Sequence, residues 1–179
     1  PANERINGFD EAMAVPAIQN GSEATAGVYC HELGHQLGLP DLYSPETRKS
    51  LVGAWCLMDK GSWSGNPPGS NPSHLSAWCK MYVGWLSPTD TMQDIPRAQV
   101  ISGSTTPATV PLAAVETSTG AIYKIVITTT NPQEYFLLEY RWKDNTQIQF
   151  DRFIPGTGLL IWHIDDSVGS VTWNSVNLD

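Results

Sequence analysis

Hydrophobic and polar positions follow two different patterns along this chain, and the change lies near residue 88. Before this point, apolar residues recur at helical spacing in short segments separated by Gly- and Pro-rich loops. After it, Thr, Val, Ile and Tyr dominate and the pattern is typical of β-strands. We therefore predict an α+β protein with two parts, a helical region over residues 1–88 and a β-rich antiparallel part over residues 89–179.

The first half begins with a predicted edge strand and a helix. Residues 12–18 (AMAVPAI) suit a strand, but Pro16 lacks the N–H that a central strand needs, so we place the strand at a sheet edge. Ser22 is a suitable N-cap for the helix that follows. We expect this helix to continue to about Leu37, because Gly38 can adopt the left-handed conformation that ends helices.

A long loop region and a second helix complete the first half. Residues 39–71 contain many Gly and Pro residues and show no sustained periodicity of hydrophobic positions. Long loops of this kind are usually functional. The second helix is expected to begin near Pro72 or Ser73 and to end at Gly84. Its apolar face carries Leu75, Trp78, Cys79 and Tyr82.

Strands dominate the second half, where β-branched and aromatic residues form successive runs. The predicted strands cover residues 97–103, 108–115, 121–129, 134–142 and 158–165. The last of these, GLLIWHID, is apolar almost throughout, which is typical of a central strand.

Composition and charge exclude several classes of function. The formal net charge of −8 over 179 residues argues against nucleic acid as a partner. The chain contains no apolar run long enough for a membrane span. Its three cysteines form no CxxC pair, which argues against a cysteine zinc site. The negative net charge makes the protein acidic. Its low content of charged residues, 16%, and its many Ser, Thr, Gly and Asn residues favour a protein that is secreted or displayed on a cell surface.

The pattern HELGH at residues 31–35 contains the residue types of a zinc site. His31 and His35 are four residues apart on the predicted helix, so both imidazoles lie on one face and can reach the same ion. Glu32 lies at the edge of that face, where it can hold a zinc-bound water without binding the metal. The opposite face is expected to form a buried apolar stripe, which consists of Ala26, Cys30, Leu33 and Leu37.

Asp41 is the candidate for the third ligand. Gly38 allows a sharp turn after the helix, and Asp41 then stands ten residues after His31. The long metzincin pattern HExxHxxGxxH has its third histidine at this position, and a carboxylate there can bind zinc at about 2.0–2.2 Å. We therefore predict that His31, His35 and Asp41 hold Zn²⁺, with a water in the open fourth position.

Met58 is a candidate for the methionine turn that lies beneath the zinc ion in metzincins. It follows His35 by 23 residues and stands between Gly53 and Gly61, in the stretch GAWCLMDKGSW. Methionine also fills irregular gaps in hydrophobic cores. Both interpretations give Met58 a packing role, and we predict the methionine turn.

These segments together resemble the immune inhibitor A-like metallopeptidases, also called the thuringilysin family. The similar segments are HELGHQLGLPDLY, WCLMDKGSW, PSHLSAWCKMYVGWL, EYFLLEYR and GLLIWHID, from about residue 12 to residue 166. The resemblance implies a secreted bacterial zinc endopeptidase of metzincin type. Its motif HExxHxxGxxD corresponds to residues 31–41, with Glu32 as the base, and its methionine turn corresponds to Met58. It also implies Ca²⁺ as a structural ion, for which we assign no ligands.

Only 30 residues precede the zinc motif. Metzincin catalytic domains normally place most of a twisted sheet and a backing helix before the zinc helix. We therefore expect an upstream part of the same protein to complete the catalytic region and to cover the apolar stripe of the zinc helix.

Other polar side chains are candidates for contacts outside the zinc shell. His74 is either a substrate contact or a histidine that bonds to the loop above its helix. Tyr43, which follows the zinc loop, is a candidate for contacting substrate. Either Tyr43 or Tyr82 of the second helix could stabilise an oxyanion. His163 and Asp165 share a strand face, so they form either a second ion site or, as we favour, a buried hydrogen-bonded pair.

The predicted function is the zinc-dependent hydrolysis of peptide bonds in protein substrates. Zinc polarises the scissile carbonyl and lowers the pKa of its water. Glu32 takes the proton and passes it to the leaving amine. The alternatives are a non-catalytic surface adhesion module that keeps zinc for structure, and a different zinc hydrolase built on the same helix. Glu32 argues against the adhesion module, because a structural site needs no general base.

Overall fold

The α+β class is confirmed by the structure, a computed structural model that describes residues 18–19, 22–44, 47–86, 92–94, 112–114, 122–128, 131–143 and 150–167. The two α-helices of these segments are α1 (Ala26–Gln36) and α2 (Ala77–Tyr82). Two 3₁₀ helices cover Gly53–Trp55 and Lys60–Trp63. The strands are β1 (Ile18–Gln19), β2 (Ser22–Glu23), β3 (Met92–Asp94), β4 (Ile122–Thr128), β5 (Asn131–Arg141) and β6 (Gly158–Asp165). None of the helices in these segments is long and apolar enough to cross a membrane.

These elements fall into two compact units that are interleaved in the sequence. The first unit takes its described residues from Pro1–Ser76 and Lys143–Pro155, and the second from Ala77–Trp142 and Gly156–Val168. A segment from late in the chain therefore belongs to the unit that contains α1. The division into domains at 1–88 and 89–179 stays a prediction.

The start of α1 differs from the prediction. Ser22 is not the N-cap, because it lies in β2, which pairs with β1 in an antiparallel ladder. Thr25 takes the N-cap position, but its Oγ1 donates to the carbonyl oxygen of Pro68 at 3.0 Å and does not cap the helix. The N–H of Gly27 donates to the carbonyl oxygen of Gly69 at 2.8 Å. The first turn of α1 is thus held by a loop distant in sequence. Of the predicted strand at 12–18, residues 12–17 lie outside the described residues.

The end of α1 lies where the sequence predicts it. Gly38 has a φ of 93°, in the left-handed region that glycine adopts readily. Its N–H donates to the carbonyl oxygen of His35 at 2.9 Å, and the N–H of Leu39 donates to the carbonyl oxygen of Gly34 at 3.0 Å. These two bonds form a Schellman motif, which satisfies the last carbonyl groups of the helix and reverses the chain toward the loop that contains Asp41.

The predicted apolar stripe is not the buried face of α1. Leu33 and Leu37 are 47% and 43% exposed, so the described residues of this chain do not cover the stripe of Ala26, Cys30, Leu33 and Leu37. Its cover by an upstream part of the protein stays a prediction. The buried residues of the helix are Gly27, Val28, His31 and Gly34. Two of these are glycines, which lack a Cβ and let neighbouring segments approach the helix backbone closely. This close approach decides which face is buried, and the apolar spacing does not.

Helix α2 begins at Ala77, later than the predicted start near residue 72. The backbone N–H groups before it are engaged by other segments. The N–H of Ser73 donates to the carbonyl oxygen of Gly61 at 3.0 Å. The N–H of His74 donates to the Asp151 carboxylate at 2.8 Å. Because these partners are supplied by tertiary contacts, the segment stays extended where local sequence favours a helix.

The second unit contains a four-stranded sheet in the order β3-β4-β5-β6. Strand β5 is antiparallel to both β4 and β6, as predicted, whereas β3 pairs with β4 in parallel. Among the described strands β6 lies at the edge, so its predicted central position is wrong, and Leu159 and Ile161 are 51% and 62% exposed. The predicted strand at 97–103 and most of that at 108–115 lie outside the described residues.

One face of this sheet packs against α2. The buried residues of this core are Ala77, Ile122, Tyr135 and Leu137. Glu139 and Arg141 are also fully buried, with Arg141 Nη1 and Glu139 Oε1 3.5 Å apart. Burial raises the pKa of Glu139, and the positive charges of Arg141 and Lys80 oppose that shift. The pair therefore has a structural position inside the second unit.

Candidate metal centre

The two histidines of α1 and Asp41 converge on one point. His31 Nε2 lies 3.0 Å from Asp41 Oδ1, and His35 Nε2 lies 3.2 Å from the same oxygen. The three ligand atoms all lie within 4.8 Å of one another, and no other group of three metal-binding side chains occurs in the described segments. Ligands about 2.0–2.2 Å from a tetrahedral zinc ion lie roughly 3.3–3.5 Å apart. The two separations from Asp41 Oδ1 are a few tenths of an ångström shorter than this, and the three atoms are close enough to share one ion.

Backbone carbonyl groups orient both imidazole rings. His31 Nδ1 donates to the carbonyl oxygen of Leu57 at 2.9 Å, and His35 Nδ1 donates to that of Leu39 at 2.8 Å. Because a carbonyl oxygen can only accept, Nδ1 carries a proton in both rings. The Nε2 atoms are the ones directed at Asp41. Metal-binding histidines typically have this arrangement, in which the second ring nitrogen donates to a fixed acceptor.

Hydrogen bonds within the cluster keep the Asp41 carboxylate ionised. Burial by itself would raise the pKa of Asp41, but hydrogen bonds with His31 and His35 outweigh it and hold that pKa well below its usual range. Burial would lower the pKa of His35, yet its hydrogen bonds to Asp41 and Leu39 leave that pKa raised. A buried, ionised carboxylate thus faces two ring nitrogens, which is a donor set that suits a divalent transition metal.

Tyr43 and Glu32 both lie beside this cluster. The Tyr43 ring stacks on the His31 ring, with centroids 6.4 Å apart and planes inclined by 18°. Burial and the neighbouring Asp41 carboxylate raise the pKa of Tyr43 to about 12, so its phenol keeps its proton at neutral pH. Glu32 is half-buried and close enough to act electrostatically on His35 and Tyr43. The roles of both residues stay predictions.

Met58 lies against α1 and is fully buried. Its Sδ is the atom nearest to the place that a side chain at Gly34 would take. The Met58 carbonyl oxygen accepts from the N–H of Leu42 at 2.8 Å, and the preceding residue Leu57 holds the ring of His31. One short turn therefore contacts the helix and the loop that follows it. The assignment of Met58 as a methionine turn stays a prediction.

Replacing Gly34 with alanine is expected to destabilise the protein by about 1–3 kcal/mol, because the new Cβ would overlap Met58 Sδ in a closed environment. Helix propensity alone would favour alanine by about 1 kcal/mol. A net decrease in the free energy of unfolding would therefore show that the contact with Met58 outweighs the gain in propensity. Urea denaturation measures the change. Gly156→Ala is the control, since nothing lies within 4 Å of its Cβ position. Equal or higher stability of Gly34→Ala would contradict this packing.

Asp59 is a buried carboxylate that the sequence reasoning missed. It is 2% exposed, and its Oδ1 accepts from the N–H of Lys60 at 2.7 Å, at the start of a 3₁₀ helix. Its Oδ2 accepts at 2.9–3.0 Å from Ser50 Oγ and from the N–H groups of Leu51, Val52 and Gly53. The carboxylate ties this loop to the turn of Met58. An acidic residue directly before KGSW has the local signature of an N-cap, which could have revealed it.

Asp59→Ala is expected to lower the free energy of unfolding by at least about 2 kcal/mol, because several backbone donors lose their acceptor and each buried unpaired donor costs about 1–3 kcal/mol. Asp59→Asn, which keeps one oxygen acceptor, should lose less. Thermal and urea unfolding measure both changes. Lys60→Ala, at the exposed neighbouring position, should stay within about 0.5 kcal/mol. An Asp59→Ala protein as stable as this control would contradict the role of Asp59.

His74 belongs to the first unit and contacts other segments of that unit through its backbone and its ring. Its N–H donates to Asp151, and its carbonyl oxygen accepts from the N–H of Leu57 at 3.2 Å. Its ring packs edge-on against Phe150, with centroids 5.0 Å apart. These contacts place His74 between two segments of the unit, and a role in binding substrate stays a prediction.

His163 and Asp165 form neither of the predicted arrangements. His163 Nε2 lies 3.0 Å from Glu134 Oε1 on the neighbouring strand, and its side chain is 56% exposed. Asp165 Oδ1 accepts from the N–H and Oγ of Ser167. The favoured buried pair is therefore wrong, because neighbouring polar groups satisfy each side chain separately. The described residues around them also form no second group of metal ligands.

The candidate metal centre lies inside a segment that matches a known protein family. Residues 3–86 match the model of the immune inhibitor A peptidase M6 catalytic domain. The pre-pro-metalloprotease PrtV of Vibrio cholerae serotype O1 (strain M66-2) is 41% identical over 63 residues, which is 34% of this chain and 7% of that protein. Immune inhibitor A of Bacillus thuringiensis subsp. alesti is 38% identical over 56 residues, which is 30% of this chain and 8% of that protein.

The similarity has a limited extent. The chain covers less than a tenth of the length of these two relatives. No solved structure matches the chain significantly. The family match nevertheless includes the whole HELGHQLGLPD segment, Met58 and α2. The resemblance to the immune inhibitor A-like metallopeptidases that the sequence motifs predicted is therefore confirmed for residues 3–86, a little less than half of the chain.

Proposed function

We propose that this chain carries the catalytic region of a zinc metalloendopeptidase of metzincin type, which hydrolyses peptide bonds in protein substrates. The observation that carries this proposal is the convergence of His31 Nε2, His35 Nε2 and Asp41 Oδ1. It is supported by the position of all three residues within the segment that matches a peptidase catalytic domain.

His31, His35 and Asp41 are the proposed ligands. Two imidazole nitrogens and one carboxylate suit zinc better than Ca²⁺ or Mg²⁺, which prefer oxygen ligands. Three protein ligands also leave a coordination position open, which is typical of catalytic zinc sites. When bound, zinc supplies a Lewis acid that polarises the scissile carbonyl and lowers the pKa of a water molecule. Calcium keeps no assigned ligands.

Glu32 is the proposed general base. It follows the ligand His31 directly, is half-buried and acts electrostatically on His35. In the reaction its carboxylate takes a proton from the attacking water as the water oxygen bonds to the carbonyl carbon. The C–N bond then breaks, and Glu32 gives this proton to the leaving nitrogen. Tyr43, whose phenol stays protonated at neutral pH, is the proposed donor to the oxyanion.

Met58 is the proposed methionine turn, because it packs against the helix between the two histidines and its neighbour Leu57 orients His31. We also propose that the protein is secreted or lies at a bacterial cell surface. The bacterial origin of the relatives supports this, as does the name pre-pro-metalloprotease of one of them.

The test of this function combines metal analysis with cleavage of casein. We expect the protein to contain zinc, to cleave casein, to lose cleavage with a chelator and to regain it when zinc is added. Zinc content without any cleavage would favour the adhesion module, in which the metal has a structural role. Cleavage of a non-peptide substrate in place of casein would favour a different zinc hydrolase.

A further inference from the structure

We propose that Asp151 is a positioning residue of the metal centre, which acts on the ligand His31 through the backbones of His74 and Leu57. The inference rests on the proposed function and deepens it. Asp151 lies well beyond residues 3–86, the part that matches the peptidase family. It belongs to the segment Lys143–Pro155, which joins the unit that contains α1.

Three consecutive hydrogen bonds connect Asp151 to His31. Asp151 Oδ1 accepts from the N–H of His74 at 2.8 Å. The carbonyl oxygen of His74 accepts from the N–H of Leu57 at 3.2 Å. The carbonyl oxygen of Leu57 accepts from His31 Nδ1 at 2.9 Å. His74 and Leu57 each use both of their backbone polar groups in this path, so a displacement of one residue is passed to the next.

The residues at the ends and at the middle of this path are buried. Asp151 is 0% exposed, Leu57 9% and His31 8%. Water cannot easily replace a hydrogen bond that is lost in such surroundings, so removal of the acceptor leaves the His74 N–H unpaired or displaces it. A carboxylate acceptor also makes stronger hydrogen bonds than a neutral group does. The Asp151 carboxylate is therefore a firm anchor for the extended segment before α2.

The backbone conformation at Asp151 supports the role of its carboxylate as the acceptor for His74. Its φ is 69°, in the left-handed region where residues other than glycine are uncommon. Aspartate and asparagine tolerate this region better than most residues. The segment is held in place by the fully buried Ile154, whose N–H donates to the Asp151 carbonyl oxygen at 3.3 Å. Phe150 packs on the ring of His74 from the same segment.

The consequence for the metal centre is the orientation of one ligand. The Leu57 carbonyl group fixes which nitrogen of His31 carries the proton and where Nε2 points. Removing a direct partner of a ligating histidine typically costs about 10–100-fold in metal affinity. Asp151 acts two backbone steps further away, so its removal should weaken zinc binding toward the lower end, by about 10-fold.

The experiment compares Asp151→Gly with Asp151→Asn in the full chain. Glycine adopts a φ of 69° without strain but lacks the acceptor, whereas asparagine keeps both the backbone conformation and an acceptor oxygen. We expect Asp151→Gly to raise the zinc dissociation constant about 10-fold, to alter the visible spectrum of the Co²⁺-substituted protein and to shift the NMR signal of the His31 Nδ1 proton. Asp151→Asn should stay close to wild type in all three measurements.

Ile154→Val is the matched control, because it loosens the same segment without removing a hydrogen bond of the path. It should lower the melting temperature and leave the zinc dissociation constant, the Co²⁺ spectrum and the His31 signal unchanged. An Asp151→Gly protein that behaves like Ile154→Val would overturn the proposal and give Asp151 a purely structural role. All these measurements are made without substrate, so a wild-type protein that binds zinc but cleaves no peptide would count against the proposed function alone.

Discussion

Glu32→Gln is expected to reduce peptide cleavage by about 10²–10⁴-fold, the usual contribution of a general acid–base residue, while zinc content stays near the wild-type value. Glutamine keeps the size of the side chain but cannot take the proton of the attacking water. Glu32 is not part of the cluster formed by His31, His35 and Asp41, so its replacement leaves the proposed ligands intact. The loss should therefore appear in kcat and only weakly in metal binding.

The measurements are steady-state cleavage of a peptide substrate, zinc analysis and thermal unfolding of the same preparation. Glu134→Gln is the control, since this carboxylate pairs with the exposed His163 in the second unit. Exposed ion pairs contribute only about 0–1 kcal/mol, so cleavage should be unchanged. A Glu32→Gln protein with zinc and with wild-type turnover would show that another group acts as the base.

Asp41→Ala is expected to weaken zinc binding by more than about 100-fold, because removing an outer partner of a ligand already costs roughly 10–100-fold. Only His31 and His35 would remain from the cluster. In the metal-free protein the same substitution removes the acceptor shared by both Nε2 atoms. The variant should therefore lose the charge arrangement that holds the pKa of His35 above its usual value.

Asp41→His should retain zinc better than Asp41→Ala, because a third imidazole can replace the carboxylate at the same position of the motif. Competition with a chromophoric chelator measures both dissociation constants. Asp165→Ala, which changes a carboxylate of the second unit, controls for the general loss of negative charge and should bind zinc as the wild type does. Equal affinity of Asp41→Ala and wild type would exclude Asp41 as a ligand.

Much of the candidate metal centre could be predicted from the sequence because its parts are close in the chain. Spacing of four residues on a helix places His31 and His35 on one face. Gly38 ends α1 with a left-handed residue, and only two residues then separate it from Asp41. These geometries depend on local backbone conformation, which the type of amino acid at each position largely determines. Strands β4, β5 and β6 were predictable for the same reason.

The surroundings of the centre were not predictable in this way. The face through which α1 packs within this chain was not predicted, since the helix is buried at Gly27 and Gly34 and leaves Leu33 and Leu37 exposed. Hydrophobic spacing describes which face can be buried. It does not describe how closely another segment approaches, and that distance depends on glycines and on hydrogen bonds between distant residues.

The sequence by itself determined the class of the fold, the three candidate ligands, the candidate base and the resemblance of residues 3–86 to a peptidase family. The tertiary structure decided which carbonyl group orients His31 and which backbone N–H groups the buried carboxylates bind. Asp59 and Asp151 illustrate the difference, because each satisfies backbone donors that no local pattern pairs with it. Apart from the adjacent Lys60, their backbone partners are six to 77 residues away in the chain. Such pairings follow from the packing of whole segments, and only the folded chain specifies them.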